Sequence, residues 1–331
     1  MTGRTTLKAH AERWPIRGAF RIARGEKREA LVVVAEIARG GHLGRGECVP
    51  YSRYGESVGG VLSLIESAGP DITAGLTRVQ LQSRLPAGAA RNALDCALLD
   101  LEAKETGTPA YKLLDLPEPA PLHTAFTLSL DTPEAMAAAA ASAAGEGYGL
   151  LKLKVAGTGD IERVRAVRAA VPEARLIVDA NEGWSYQELV TLAPALGELG
   201  VALIEQPLKA CDDGVLQEYV SPVPLCADES CHTRRDLPRI AGLYACVNVK
   251  LDKAGGLTEA SALAHAAIEM GLGVMIGCMV STSLAMAPAS LLGPLADYID
   301  LDGPLLLETD REPGLRYDGD LLYPPSPELW G

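Results

Sequence analysis

Six charged side chains between residues 154 and 300 recur at a nearly constant spacing. Lys154, Asp179, Glu205, Asp228, Lys250 and Asp300, with Gly277 in the one uncharged place, are separated by 25, 26, 23, 22, 27 and 23 residues. Each charged member closes a short apolar run: LLKLK, RLIVD, VALIE, PLCAD, ACVNVK and YIDLD. Three successive carboxylates held side by side would repel one another without a cation. An all-oxygen set with no His or Cys suits Mg²⁺ better than zinc. Lys152 shares a strand face with Lys154, and its charge, with that of the cation, is expected to lower the Lys154 pKa into the range of a usable base. Two lysines across a cavity, with a metal on a third side, have a specific chemistry. They remove a proton from one face of a carbon beside a carboxylate and return one to the other face, while the metal stabilises the enediolate.

Such a set needs elements that bring it together. Short apolar strands alternate with helical stretches such as DIERVRAVRAAV, SYQELVTLAPALGELG and EASALAHAAIEMGL. Near-continuous apolar strands at this period predict a parallel (β/α)7β TIM-type barrel, whose strand ends converge at one mouth. An open doubly wound sheet is the alternative, but no Gly-rich fingerprint follows the first strand. Lys154 and Lys250, four strands apart in a ring of eight, then project from opposite walls. The first 115 or so residues differ. REALVVVAEIARG and GHLGRGECV read as strands, followed by helical SVGGVLSLIESAGPDI, TRVQLQSRLP and an amphipathic NALDCALLDLEAKETG. The predicted division is an α+β cap over 1–118, a barrel over 119–308, and a segment over 309–331 that returns to the cap.

The 331 residues carry a formal charge of −13, which argues against a nucleic-acid partner. Seven cysteines without a CxxC pair fit reduced thiols in a cytoplasmic protein. Gly271–Ala296 is uncharged and long enough to span a bilayer, but its glycines, hydroxyl residues and prolines read as a buried strand and the start of a helix, so no membrane partner is expected. Phosphate loops and a GxSxG elbow are absent.

The chain resembles the muconate-lactonising branch of the enolase superfamily through KLK (152–154), VDANEGW, IEQP, ADES and VKLDKAGG. Within that branch it is similar to the dipeptide epimerases through FRIARG, GECVPYSRYGES, LPAGAARNALDCAL, CADESCHTR, GCM and DLDGP. The resemblance implies a capped barrel that uses Mg²⁺ to transfer a proton at the glutamyl α-carbon of a dipeptide such as L-Ala-D-Glu, in murein peptide metabolism. It implies Lys154 and Lys250 as acid/base catalysts, Lys152 on the substrate carboxylate, and Asp179, Glu205 and Asp228 as metal ligands. Asp300 and Asp302 would hold the dipeptide ammonium, and Arg24 its side-chain carboxylate. Thr127, Gly277 and Met279 would line the pocket. An o-succinylbenzoate synthase or cycloisomerase of the same branch, an epimerase for another dipeptide, and a non-catalytic amino-acid-binding barrel remain alternatives, and a homo-oligomer stays open. Other dipeptide epimerase subgroups carry an acid after GxM where this chain has Val280, Ser281 and Thr282. His232, Cys278 and Lys253 are read as supporting residues, and the Ala-rich run over 135–144 as a packed helix.

Overall fold

The computed structural model describes residues 4–331. It opens with an antiparallel sheet in the order β1 (Thr6–Ile22), β2 (Gly25–Arg39), β3 (His42–Cys48). β2 and β3 match the β-rich stretches, whereas β1 was not anticipated. It alternates exposed with half-buried residues and contains Pro15, which only an edge strand tolerates well. That edge is covered, because Glu308 N donates to Pro15 O at 2.8 Å and Ile16 bridges to Leu307. A register shift between Pro15 and Phe20 bends β1, and Phe20–Ile22 then pair with Gly25–Lys27 as a projecting hairpin.

Helices α1 (Val58–Ser67), α2 (Gly69–Thr73), α3 (Arg78–Arg84) and α4 (Ala89–Thr106) follow, with a short α5 (Ala110–Leu113) behind them. α4 is not the half-exposed helix its leucine spacing suggests, since 14 of its 18 residues are buried. The sheet covers one side: a Cβ on Gly44 or Gly46 would sit 2.1 Å from Ala97 O or Ala93 O, so only glycine permits this approach. The barrel covers the other side and employs the polar residues. Arg91 Nε donates to Gly255 O at 3.0 Å, and its NH2 to Ala254 O at 2.5 Å. Asn92 Nδ2 donates to Asp252 Oδ1, and Asp95 accepts from Thr258 N and Oγ1. The turn that follows Lys250 is thereby stitched to α4.

After β4 (Leu122–His123) the parallel sheet begins. Its strands are β5 (Phe126–Leu128), β6 (Leu150–Lys154), β7 (Arg175–Asp179), β8 (Val201–Glu205), β9 (Leu225–Ala227), β10 (Cys246–Val249), β11 (Gly273–Ile276) and β12 (Tyr298–Ile299), in sequential order. Ala125 N donates to Ile299 O at 2.8 Å, which brings the first strand to the last. The crossovers carry α6 (Pro133–Gly145), α7 (Asp160–Ala170), α8 (Tyr186–Glu198), α9 (Leu237–Ile240), α10 (Leu251–Ala254), α11 (Leu257–Glu269) and α12 (Ser283–Ser290). Between β8 and β9 there is only a 3-10 turn over Asp213–Glu218. The uncharged stretch at 271–296 becomes β11 and α12, and among the described residues no helix is long and apolar enough to cross a membrane. Finally β13 (Tyr317–Asp318) and β14 (Leu321–Leu322) form a hairpin beside β4. Beyond it, Trp330 buries its ring and donates Nε1 to Arg45 O and Cys96 O.

Inside the barrel the side chains form tiers. Ile177, Leu203, Cys226, Cys246 and Met275 close the floor. Two residues further along the same strands, hence on the same face, come Asp179, Glu205, Asp228, Asn248 and Gly277.

Candidate active site

Register brings the chemistry together. Lys154 pairs with Asp179, and Asp179 with Glu205, across three neighbouring strands. Glu205 pairs with Cys226, two residues before Asp228. All three carboxylates are buried at 0–2% exposure. The backbone just past two of them is strained: Asn181, Glu182 and Gln206 have φ of 47°, 65° and 35°, values that non-glycine residues rarely adopt. Gln206 is locked by its own bonds. Its Oε1 accepts from Asp228 N and Ser230 N, and its Nε2 donates to Leu208 O.

Each carboxylate has one oxygen tied by a donor and the other turned toward a lysine. Asp179 Oδ1 accepts from Asn181 N at 2.9 Å, and Oδ2 faces Lys154 Nζ at 2.6 Å. Glu205 Oε1 accepts from Asn248 Nδ2 at 2.7 Å, and Oε2 lies 2.7 Å from Lys152 Nζ. Asp228 Oδ1 accepts from Lys253 Nζ at 2.6 Å, and Oδ2 from Lys250 Nζ at 2.7 Å. Burial works against every one of these charges, and the pairing decides the outcome. Asp228 is held well below the carboxylate range by Lys250 and Lys253, and Asp179 below it by Lys154 and Lys152. Glu205 is raised, by burial and then by Asp179 beside it. Burial would lower Lys250 and Lys152, but Asp228 and Glu205 raise the first, and Asp300, Glu205 and Asp179 raise the second.

Among the described residues no three His, Cys, Asp or Glu side chains converge as a finished metal cage. The donor set nevertheless fits a hard divalent cation. It consists only of buried carboxylates, their inner oxygens already face positive charge, and Glu205 Oε2 has no well-aligned hydrogen-bond donor despite the nearby ammonium.

On the far side, the chain turns after β12, so Asp300 and Asp302 lie beyond the strand rather than as alternate residues of it. They still meet at Thr127. Asp302 Oδ2 accepts from Thr127 N at 2.6 Å, Asp300 Oδ1 from Thr127 Oγ1 at 3.3 Å, and Asp300 Oδ2 from Lys152 Nζ at 2.7 Å. Burial, and then the charge of Asp300, pushes the Asp302 carboxyl up to about 7.

The β1–β2 hairpin roofs this arrangement over a cavity of about 820 Å³ that includes Phe20, Arg24, Thr127, Lys154, Lys250 and Met279 in its lining. Gly277 is not in that lining, although Cys278 and Val280 are. Phe20 lies 5.7 Å, centroid to Nζ, from Lys154. Arg24 reaches across from the hairpin: NH1 donates to Asn181 O at 2.5 Å, and NH2 donates to Tyr51 Oη at 2.9 Å and pairs with Glu229 at 2.7 Å. Sequence reasoning missed Glu229, Glu182 and Arg53, which surround this guanidinium. Their adjacency to the motif residues was a signal, but the contact spans cap and barrel. It also missed Asn248. His232 stacks edge-on to Tyr54, at 4.5 Å between ring centroids, and supports its loop.

Residues 4–115 match the mandelate racemase/muconate lactonizing enzyme N-terminal domain, and 135–322 the enolase C-terminal domain-like family. The chain is 48% identical over 318 residues to an L-Ala-D/L-Glu epimerase of Escherichia coli (strain K12), covering 96% of this chain and 99% of that one. It is 46% identical over 302 residues to an N-acetyl-D-glutamate racemase of a Pseudoalteromonas species, covering 91% and 95%. Its structure superposes on an enolase family member from Agrobacterium tumefaciens, crystallised with sodium and L-Ala-L-Glu, at a TM-score of 0.96, 49% identity, and 99% and 100% coverage.

Proposed function

The chain belongs to the mandelate racemase/muconate lactonizing enzyme family of the enolase superfamily, and from that premise we propose that it is a Mg²⁺-dependent epimerase of L-Ala-D/L-Glu. The observation that carries this reading is the placement of Lys154 and Lys250 on strands four apart, with three buried carboxylates between them. Asp179, Glu205 and Asp228 hold the metal, which supplies Lewis-acid stabilisation of the negative charge that develops on the substrate carboxylate. Lys154 removes the α-proton from one face and Lys250 delivers one to the other; the reverse direction exchanges their parts. Lys250 Nζ is held at the centre by Asp228 Oδ2 at 2.7 Å. Lys152 neutralises carboxylate charge at the centre, Asp300 and Asp302 take the dipeptide ammonium, and Arg24 takes the glutamyl side chain. The roofing hairpin excludes water. The seven cysteines, all unpaired, support a cytoplasmic setting, and the acidic dipeptide supports a part in murein peptide metabolism.

A second reading, racemisation of an N-acylated glutamate, is favoured by one observation. Asp302 is raised to about 7 and can therefore stand neutral before a substrate that has no ammonium. Incubation with Mg²⁺ in D₂O, read by mass, separates the two. L-Ala-L-Glu should gain one deuterium at the glutamyl α-carbon, and EDTA should stop it. Exchange confined to N-acetyl-glutamate would transfer the assignment to the second reading, and exchange with neither would remove both.

A further inference from the structure

Asn248 has no part in the steps above, yet it occupies the centre of the site. It is fully buried on β10, two residues before Lys250 and on the same inward face. Its Nδ2 donates to Glu205 Oε1 at 2.7 Å, while its Oδ1 has no hydrogen-bond partner among the described residues. Turning the amide over would set oxygen against carboxylate oxygen, so the donor must face Glu205. A buried carbonyl left unmet is a cost to folding that an apolar side chain would avoid. Gly277 is shaped around the same amide. A Cβ there would lie 2.4 Å from Asn248 Oδ1 and 2.8 Å from Nδ2.

We infer that Asn248 is a positioning residue of the metal centre, and that Gly277 serves this centre only by leaving Asn248 its place. This rests on the reading of Asp179, Glu205 and Asp228 as ligands. Each has an outer oxygen tied, to Asn181 N, Asn248 Nδ2 and Lys253 Nζ respectively, which leaves the inner oxygen fixed. The first tie is a main-chain N–H, which only proline would remove, and proline does not fit the φ of 47° at Asn181. The third is a cation, so its loss would change the local field as well as the geometry. Asn248 is the one neutral side-chain tie of the three. Without it, Glu205 Oε1 is free to swing toward Lys250 Nζ, already 3.9 Å away, and the inner oxygen leaves the other two ligands.

Titration of the purified full chain with Mg²⁺ in a calorimeter tests this without reference to turnover. The native chain must bind Mg²⁺; failure there removes the metal reading itself and is distinct from the part of Asn248. Asn248→Ala should weaken binding by about tenfold or more, as loss of a ligand-orienting partner does. Gly277→Ala, which displaces the amide without removing it, should weaken binding comparably. In the Asn248→Ala background, Gly277→Ala should add nothing, because no amide is left to displace. Native affinity in a folded Asn248→Ala chain overturns the proposal. If that variant does not fold, Gly277→Ala decides alone, and native affinity there overturns it. A full additional loss in the double variant overturns the part assigned to Gly277.

Discussion

Replacing Asp302 by Asn should stabilise the protein while it damages substrate binding. The Asp302 carboxyl is buried beside Asp300, and its pKa stands at about 7 against an ordinary 3.8. Because the folded value is raised, the fold favours the neutral form. Below about pH 4 the group is neutral in both states and costs nothing. Between about pH 4 and 7 the unfolded chain ionises while the folded chain does not, so the cost grows, and above 7 it is complete. About three pH units correspond to about 4 kcal/mol. Asp302→Asn removes the charge, keeps an oxygen to accept from Thr127 N, and presents an amide to Asp300. Urea unfolding in EDTA should therefore show the variant more stable by about 3–4 kcal/mol at pH 8.5 and by under about 1 kcal/mol at pH 4.5. At pH 8.5 the KM for L-Ala-L-Glu should rise about ten- to a hundredfold, the loss of one charge-assisted pair with the ammonium. A gap that is equal at both pH values, or a variant less stable at pH 8.5, would refute the account of a strained carboxylate. An unchanged KM would refute its pairing with the ammonium.

Arg24→Met should raise KM for L-Ala-L-Glu about ten- to a hundredfold but leave L-Ala-L-Leu within about threefold, since only the acidic side chain loses a charged partner; equal effects on both dipeptides would contradict the assignment. Lys154→Ala and Lys250→Ala should each abolish epimerisation yet retain α-proton exchange with one epimer only, opposite in the two variants, as followed by proton NMR in D₂O. Trp330→Ala should cost about 3–5 kcal/mol in urea unfolding, because the buried ring and both of its hydrogen bonds are lost. A change under about 1 kcal/mol would mean that the terminal residues do not brace β3 and α4.

What was legible in the sequence is what is local to a strand end. A lysine or carboxylate closing an apolar run announces itself, and an eight-strand parallel order makes such residues neighbours whatever the details. The rest depends on contacts that sequence separation hides. Asn248 reads as a β-strand asparagine until Glu205, 43 residues away, is seen against it. Glu182 and Glu229 gain meaning only when Arg24 arrives from another part of the chain. β1 carries polar residues because one of its faces is open and the other only half-buried, and its pattern resembles a loop. The helix α4 misleads in the opposite sense: Arg91, Asn92, Asp95 and Asp100 suggest a solvent face, but each is buried, and three of them bond across to the barrel.

That seam between α4 and the turn after Lys250 bears on how enzymes of this build diversify. Its guanidinium meets two carbonyls of the barrel, its amide the Asp252 carboxylate, and its carboxyl the N–H and hydroxyl of Thr258, so a change on either side strands a polar group on the other. The hairpin tip from Phe20 to Lys27 contributes Phe20, Ile22, Arg24 and Lys27 to the lining of the cavity. One polypeptide therefore combines two tolerances to substitution, a welded root beside the catalytic Lys250 and a fingertip with fewer partners to satisfy. New specificities within such a lineage should accumulate at the tip long before the root yields.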